Sequence, residues 1–451
     1  MAESLAVKHL RLGYGQLIQV HQGGQFWEVR FESGKCYRLP SSEFEPLPTH
    51  IPPDHTAARR TIETLRMGIV PTDHIEDLTL GLSSQRAHLH NALKLAHRHN
   101  GAALAILADY GCGKTHFIEL AARAALREGF LVATLSLDAR EMPPAHAQKI
   151  YQAAIQGLRY PDSSSTGIQP LLNRARQHPA ETLKVLESAA KGVDCPFTYA
   201  VRAYLHCESL VGQIGIALWL SRQFVPKEAD IYLKKAPRLY ANGEVARQYT
   251  YLLSGVSALA TAMGYQGLAL FIDEVDYYSR QTTAQKQRAN MLFKALLCAS
   301  QGETNMHPDA AYIAQHQKVI YPLRFNATSP FFFLFASTES EQQIPVQAWL
   351  RPSQILRLDE RFDQSEVAHF ISIISLYHAQ AYQRTNPVQS FIPRLAAVLS
   401  AALRERRINP RQLSQITVTF HDLLYIYPQV SPEKLIRDLA IGLRIPDTTQ
   451  P

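Results

Sequence analysis

The sequence predicts an α/β fold: a P-loop-type parallel sheet with a large helical insertion, a helical C-terminal lid and a small N-terminal β-barrel. Three observations carry that expectation. Four short, uniformly apolar runs alternate with segments of helical period: "AALAILA" (102–108), "FLVATLSLDA" (130–139), "GLALFIDEVD" (267–276) and "FFFLFAST" (331–338). Runs of that length and composition suit strands buried on both faces of a parallel sheet. The first run leads into a glycine-rich turn, "ADYGCGKT", that opens a helix. After residue 365 strand patterns stop and only helical spacing remains.

Residues 1–50 alternate apolar and polar positions between glycine-rich turns, in "GQLIQVHQG", "GQFWEVRFESG" and "KCYRLPSSEFEPL". The pieces "GYGQLIQV", "VRFESGK" and "FEPL" resemble the SH3-like, tudor-like modules attached to DNA helicases and transcription-coupled repair factors. The resemblance implies a barrel that binds protein or nucleic acid. Pro46, Pro48, Pro52 and Pro53 mark a linker. A P-loop core is expected over 55–360, with a helical insertion at about 150–245, and a lid domain over 361–451. Ser83 or Ser84 is the expected cap of the helix that precedes the first core strand.

Composition narrows the function classes. The chain has 451 residues, a formal charge of +7 and 46% apolar residues, so sizeable cores are available and contact with nucleic acid is permitted without being demanded. No run of eighteen apolar residues suggests a membrane span, and the N-terminus lacks the apolar core of a signal peptide. Five scattered cysteines without a C-x-x-C pair exclude the usual structural zinc pattern and read as reduced thiols of a cytoplasmic protein.

The chemistry gathers at "ADYGCGKT". Gly111 and Gly113 let backbone N–H groups turn inward to phosphate oxygens, and Lys114 supplies charge for β- and γ-phosphates. Thr115 offers a hydroxyl to Mg²⁺, and the following helix adds its positive dipole end. Tyr110, Cys112 and His116 complete the stretch expected to line ATP. Ala108 stands where the first glycine of the pattern is expected, a change tolerated if its φ is negative.

Beyond the loop, "LALFIDEVD" ends in Asp273 and Glu274. The first carboxylate is expected to hold Mg²⁺ and the second to polarise the attacking water as a general base. Where a strand lies between these two motifs, its tip carries a polar sensor, here Thr338 or Ser337. AAA+ proteins close their pocket with a lid arginine, and in "INPRQL" Arg411 fits, since Asn409 and Pro410 start the helix that presents it. Arg351, in "AWLRPSQILRL", stands where related ATPases place an arginine finger for a neighbouring subunit; a plain surface arginine reads the same.

Taken together, "RRTIETLRMGIVP", "YGCGKTHF", "LSLDAREMP" and "FIDEVD" resemble the BrxD-like ATP-binding proteins of BREX-type phage-defence systems, and more distantly the Orc/Cdc6 branch of AAA+ ATPases. That resemblance implies ATP and Mg²⁺ as ligands, DNA and a defence-system helicase as partners, and an ATPase that assembles or remodels an antiphage complex, self-assembling if Arg351 acts in trans. A slow nucleotide-gated adaptor that recruits a helicase or nuclease is the alternative.

Overall fold

The computed structural model describes residues 6–9, 13–21, 26–31, 35–40, 44–45, 55–189, 195–241, 244–301, 313–314, 321–340, 343–358, 362–384 and 389–445. In chain order the strands and helices are β1 (Ala6–His9), β2 (Gly13–His21), β3 (Phe26–Phe31), β4 (Cys36–Pro40), β5 (Phe44–Glu45), α1 (His55–Arg66), α2 (Ser83–Arg98), β6 (Gly101–Leu107), α3 (Lys114–Arg127) and β7 (Leu131–Ser136). Then follow α4 (Ala147–Gln156), α5 (Gln169–Gln177), α6 (Pro179–Glu187), α7 (Pro196–His206), α8 (Leu210–Leu220), α9 (Ala246–Ala262), β8 (Leu268–Asp273), α10 (Thr283–Gln301), β9 (Phe331–Ser337), α11 (Val346–Trp349) and β10 (Ile355–Arg357). The chain closes with α12 (Gln364–Ala381), α13 (Ile392–Arg404), α14 (Pro410–Ile426) and α15 (Pro432–Gly442).

Two compact units result. One comprises the described residues of Gly68–Phe362 and Ala402–Ser414; the other those of Met1–Met67, Asp363–Ala401 and Gln415–Pro451. The first contains a wholly parallel sheet in the order β10-β6-β9-β8-β7. All four apolar runs are therefore strands of one sheet, and β9 lies between β6 and β8. Successive side chains divide between two cores. Ala103, Ala105, Leu270, Ile272, Phe333 and Phe335 face one cluster; Leu104, Ile106, Ala269, Phe271, Phe332 and Leu334 face the other. The period of two explains why these strands show no polar face: helices cover both sides. The second cluster is packed by α2 and α3, the first by the long helical crossover between β7 and β8.

One local expectation changes, and two elements are new. The start of α2 carries no side-chain cap; Leu82 precedes it in the left-handed region, φ 66°, and Ser84 donates to Gln85 Oε1 at 2.8 Å. β10 is too short to show in the sequence pattern, and its register is set by β6, Ile355 pairing with Ala105. α10 supplies the β8–β9 crossover, its inner face buried at Ala289, Leu292, Phe293 and Leu296.

In the other unit β1–β5 form an antiparallel sheet in the order β4-β3-β2-β1-β5. Among the described residues no pairing joins its edges, β4 and β5, so the small barrel expected for residues 1–50 is not shown. The proline linker at 46–53 lies outside the described residues. α1 packs against α12 in this unit.

Candidate nucleotide site

Ala108 continues the sheet. Its N–H donates to Ser337 O at 3.3 Å, one step past the β6–β9 ladder, and its φ is negative, so a side chain costs nothing there. Cys112 N–H then closes a turn on Asp109 O at 3.2 Å. Gly111 and Gly113 take φ 80° and 89°, the left-handed values that side chains resist. α3 begins at Lys114 with no side-chain cap, so its first N–H groups point into the loop without an internal partner, the arrangement that binds anions.

Lys114 is 7% exposed. Its ammonium donates to Ala108 O at 3.0 Å and Thr338 Oγ1 at 2.9 Å, and lies 3.2 Å from Asp276 Oδ2. Asp276 follows β8 in a 3-10 turn, Val275–Arg280. Its carboxylate accepts the Thr338 N–H at 2.6 Å and the Thr338 hydroxyl at 2.8 Å, with Ser337 Oγ at 3.4 Å. The tips of β6, β8 and β9 thus meet through one lysine, one aspartate and one threonine.

Asp273, the last residue of β8, is 3% exposed. It accepts the Glu274 N–H at 2.8 Å, and the nearby Thr115 side chain also favours its charged form. Burial raises its pKa above the ordinary carboxylate range, and these contacts with the Lys114 charge only partly oppose that. Glu274 takes φ 57°, a left-handed backbone on a non-glycine residue. Burial, then the charges of Asp273 and Asp276, push its carboxyl upward. A carboxyl so placed is a stronger base than one in water.

Arg411 reaches the loop. Its guanidinium donates to the Tyr110 hydroxyl at 2.8 Å and lies over that ring, 5.0 Å from the centroid, while its N–H meets Gly111 O at 3.4 Å. The Tyr110 side chain is otherwise open to solvent, 71% exposed. Asn409 and Gln412 bond each other reciprocally at the start of α14, Gln412 N–H to Asn409 Oδ1 at 2.9 Å and Asn409 N–H to Gln412 Oε1 at 3.0 Å, which fixes Arg411 between them.

Three expected residues stand apart. His116 faces away from the loop: its Nε2 lies 2.9 Å from Thr79 Oγ1. Since the Thr79 hydroxyl donates to Ile75 O at 2.7 Å, the imidazole must donate here. Burial brings His116 down to about 4, so it ties α3 to the 75–79 segment as a neutral ring. The Cys112 thiol is raised, by burial and then by the Asp109 charge, and stays protonated at neutral pH. Arg351 precedes β10; the neighbouring Gln354 donates to Ala103 O at 3.3 Å, near the start of β6, so Arg351 lies at the opposite end of the sheet from Lys114 within the same chain.

Asp276 was not singled out by motif spacing, although "FIDEVD" contains it. Only the pairing of β8 with β9 brings it to Thr338.

Comparison with known proteins bears on the glycine-loop part of this arrangement. No curated protein matches the chain. Residues 54–185 match the family model of the BREX system ATP-binding protein BrxC/D, a stretch that includes α1, α2, β6, the glycine loop, α3 and β7 and stops short of β8; the match supports an ATP-binding role in phage defence.

Proposed function

We propose that the protein is a DNA-associated AAA+-type ATPase that binds and hydrolyses ATP with Mg²⁺ to assemble or remodel an antiphage complex. The observation that carries this reading is the meeting of the glycine loop, Lys114, Asp276 and Thr338 beside Asp273 at the C-terminal ends of adjacent parallel strands, where such sheets bind ligands. Gly111, Gly113 and the first turn of α3 offer N–H groups to the phosphates, and Lys114 offers its charge. Tyr110, with Arg411 over its ring, is exposed at the mouth of the loop and is suited to contact the nucleotide.

A hydroxyl and a buried carboxylate are hard oxygen donors that fit a small divalent cation, so Thr115 and Asp273 would hold Mg²⁺. When bound, the cation would supply charge neutralisation to the phosphates. Glu274 takes a proton from the attacking water as general base. In this reading Thr338 and Arg411 contact the terminal phosphate, and Arg351 acts on a neighbouring subunit if the protein self-assembles.

The alternative, a slow nucleotide-gated adaptor, draws support from the exposed apolar side chains of the insertion. Leu210, Val211 and Ile214 on α8, with Phe224 and Ile231 after it, are all exposed, a surface suited to a protein partner. Steady-state ATP hydrolysis with and without double-stranded DNA separates the two. The ATPase reading expects turnover that rises with DNA, is lost in Lys114→Ala and drops by about a hundredfold or more in Glu274→Gln. ATP binding with no turnover under either condition would select the adaptor. Partners beyond DNA, including a helicase, follow from whichever protein is retained with ATP.

A further inference from the structure

The donors around the Asp276 carboxylate are those of a phosphate cradle. One ammonium, two hydroxyls and one backbone N–H converge on its two oxygens, from Lys114, Thr338, Ser337 and the Thr338 main chain. Hydrogen counting shows what this costs a ligand. The Thr338 hydroxyl has one proton, and it is given to Asp276 Oδ2 at 2.8 Å. The Lys114 ammonium has three protons, and three acceptors lie within 3.2 Å: Ala108 O, Thr338 Oγ1 and Asp276 Oδ2. Neither group can donate to a phosphate oxygen without first giving up a present partner.

Asp276 is also the partner most readily replaced. Its side chain is 23% exposed, against 8% for that of Lys114. Its backbone is held separately, Asp276 O accepting from Ser279 Oγ at 2.8 Å and Gln343 Nε2 at 3.2 Å. The carboxylate can therefore swing about its own χ angles while the turn stays fixed. A terminal phosphate carries more charge than a carboxylate and presents more oxygens, so it takes the same donors more strongly.

We propose that Asp276 is an internal competitor for the terminal phosphate: a positioning residue whose carboxylate holds Lys114 and the Thr338 hydroxyl until a nucleoside triphosphate displaces it. This rests on the ATP reading of the loop. The competition opposes every nucleotide that needs Lys114, and opposes the triphosphate most, because only its γ-phosphate reaches Thr338. The carboxylate thereby sets a concentration threshold for ATP and makes Thr338 report that γ-phosphate has arrived.

The test is equilibrium binding of ATP and ADP to the full chain, with Mg²⁺, in the parent, Asp276→Asn, Asp276→Ser and Asp276→Glu. Either neutral variant should bind ATP about tenfold more tightly, the size of one charge-assisted hydrogen bond, and gain less for ADP. Asp276→Glu, which restores the charge, should return ATP affinity toward the parent value. Structural damage does not tighten a ligand, so a gain in a neutral variant that melts like the parent supports the competitor. Unchanged or weaker ATP binding overturns it, as does failure of both neutral variants to fold while Asp276→Glu folds, which would make the carboxylate purely structural. Lys114→Ala, measured alongside, separates the premises: if it leaves ATP affinity intact, the ATP reading of the loop itself falls.

Discussion

Two partly buried polar clusters in this protein look alike in composition and differ in what surrounds them. One joins Lys114, Asp276 and Thr338 at the glycine loop. The other joins Arg66, Asp422 and His378 between α1, α12 and α14. In the second, Arg66 donates to both carboxylate oxygens of Asp422, at 2.9 and 2.8 Å, to Tyr382 Oη at 2.9 Å, and also to Glu63. His378 Nε2 adds a bond to Asp422 at 3.0 Å. Burial acts to raise Asp422, yet the bonds from His378 and Arg66 outweigh it and hold the carboxyl below its usual range. Each charge is closed on fixed partners, the form of a cluster that orders helices. The loop cluster instead borders uncapped N–H groups and two left-handed glycines. The neighbouring carboxylates at the end of β8, Asp273 and Glu274, are pushed up, not down. Uncapped N–H groups and destabilised charge beside it mark the functional cluster; closed pairs alone mark the structural one.

The largest effect should come from breaking the closed cluster. Asp422→Ala leaves the Arg66 guanidinium and the His378 imidazole without their shared acceptor and should cost about 3 kcal/mol of unfolding free energy. Chemical denaturation reads this directly. Loss below about 1 kcal/mol would show that the pair is no more than a surface ion pair.

Lys114→Ala should invert that pattern. Nucleotide affinity should fall about a hundredfold, while unfolding free energy moves by less than about 1 kcal/mol, because the partly exposed Asp276 keeps its bonds to Thr338. A stability loss as large as that of Asp422→Ala would erase the distinction between the clusters.

Acid should weaken the helical unit through His421, next to the closed cluster. This ring is 2% exposed; Nδ1 donates to Thr417 O at 2.8 Å and Nε2 has no partner among the described residues. Burial, the largest cause, brings it down to about 4. The unfolded chain then binds the extra proton first. Its stabilising contribution is complete above the unfolded value near pH 6.5 and is lost as pH falls from there toward 4, at up to about 1.4 kcal/mol per pH unit. His421→Gln should flatten the pH dependence of the melting temperature in that window. An unchanged slope would assign it to other groups, among them His116, which is shifted in the same direction.

How much of this was legible follows from what each feature depends on. The core strands were legible because burial on both faces leaves uniformly apolar runs, and the loop because glycine and lysine spacing is itself the chemistry. Arg411 could be placed because Asn409 and Pro410 announce a helix start. Asp276 and Tyr382 could not: Asp276 becomes important only when β9 lies beside β8, and Tyr382 only when α12 lies beside α1. β10 escaped because three residues carry no period. His116 looked like loop by position, whereas the helical turn after Lys114 carries it round to Thr79.

The smallest expected effect separates the two glycines of the loop. Both take left-handed φ, so alanine at either should cost about 1 kcal/mol from backbone strain alone. They differ in what a methyl group meets. At Gly113 it meets nothing within 4 Å; at Gly111 it would lie 2.5 Å from Asn409 Nδ2. That amide cannot simply step aside, because Asn409 Oδ1 caps the Gln412 N–H at the start of α14. Gly111→Ala should therefore lose about 1 kcal/mol more than Gly113→Ala, the worth of an N-cap. It should also disturb the Arg411–Tyr110 pair, readable as altered tyrosine fluorescence, which Gly113→Ala leaves alone. Equal losses in the two variants would mean that Asn409 yields freely and that α14 is not fastened to the loop through its cap; a larger loss at Gly111 would make that cap the link by which loop and lid arginine hold each other's geometry.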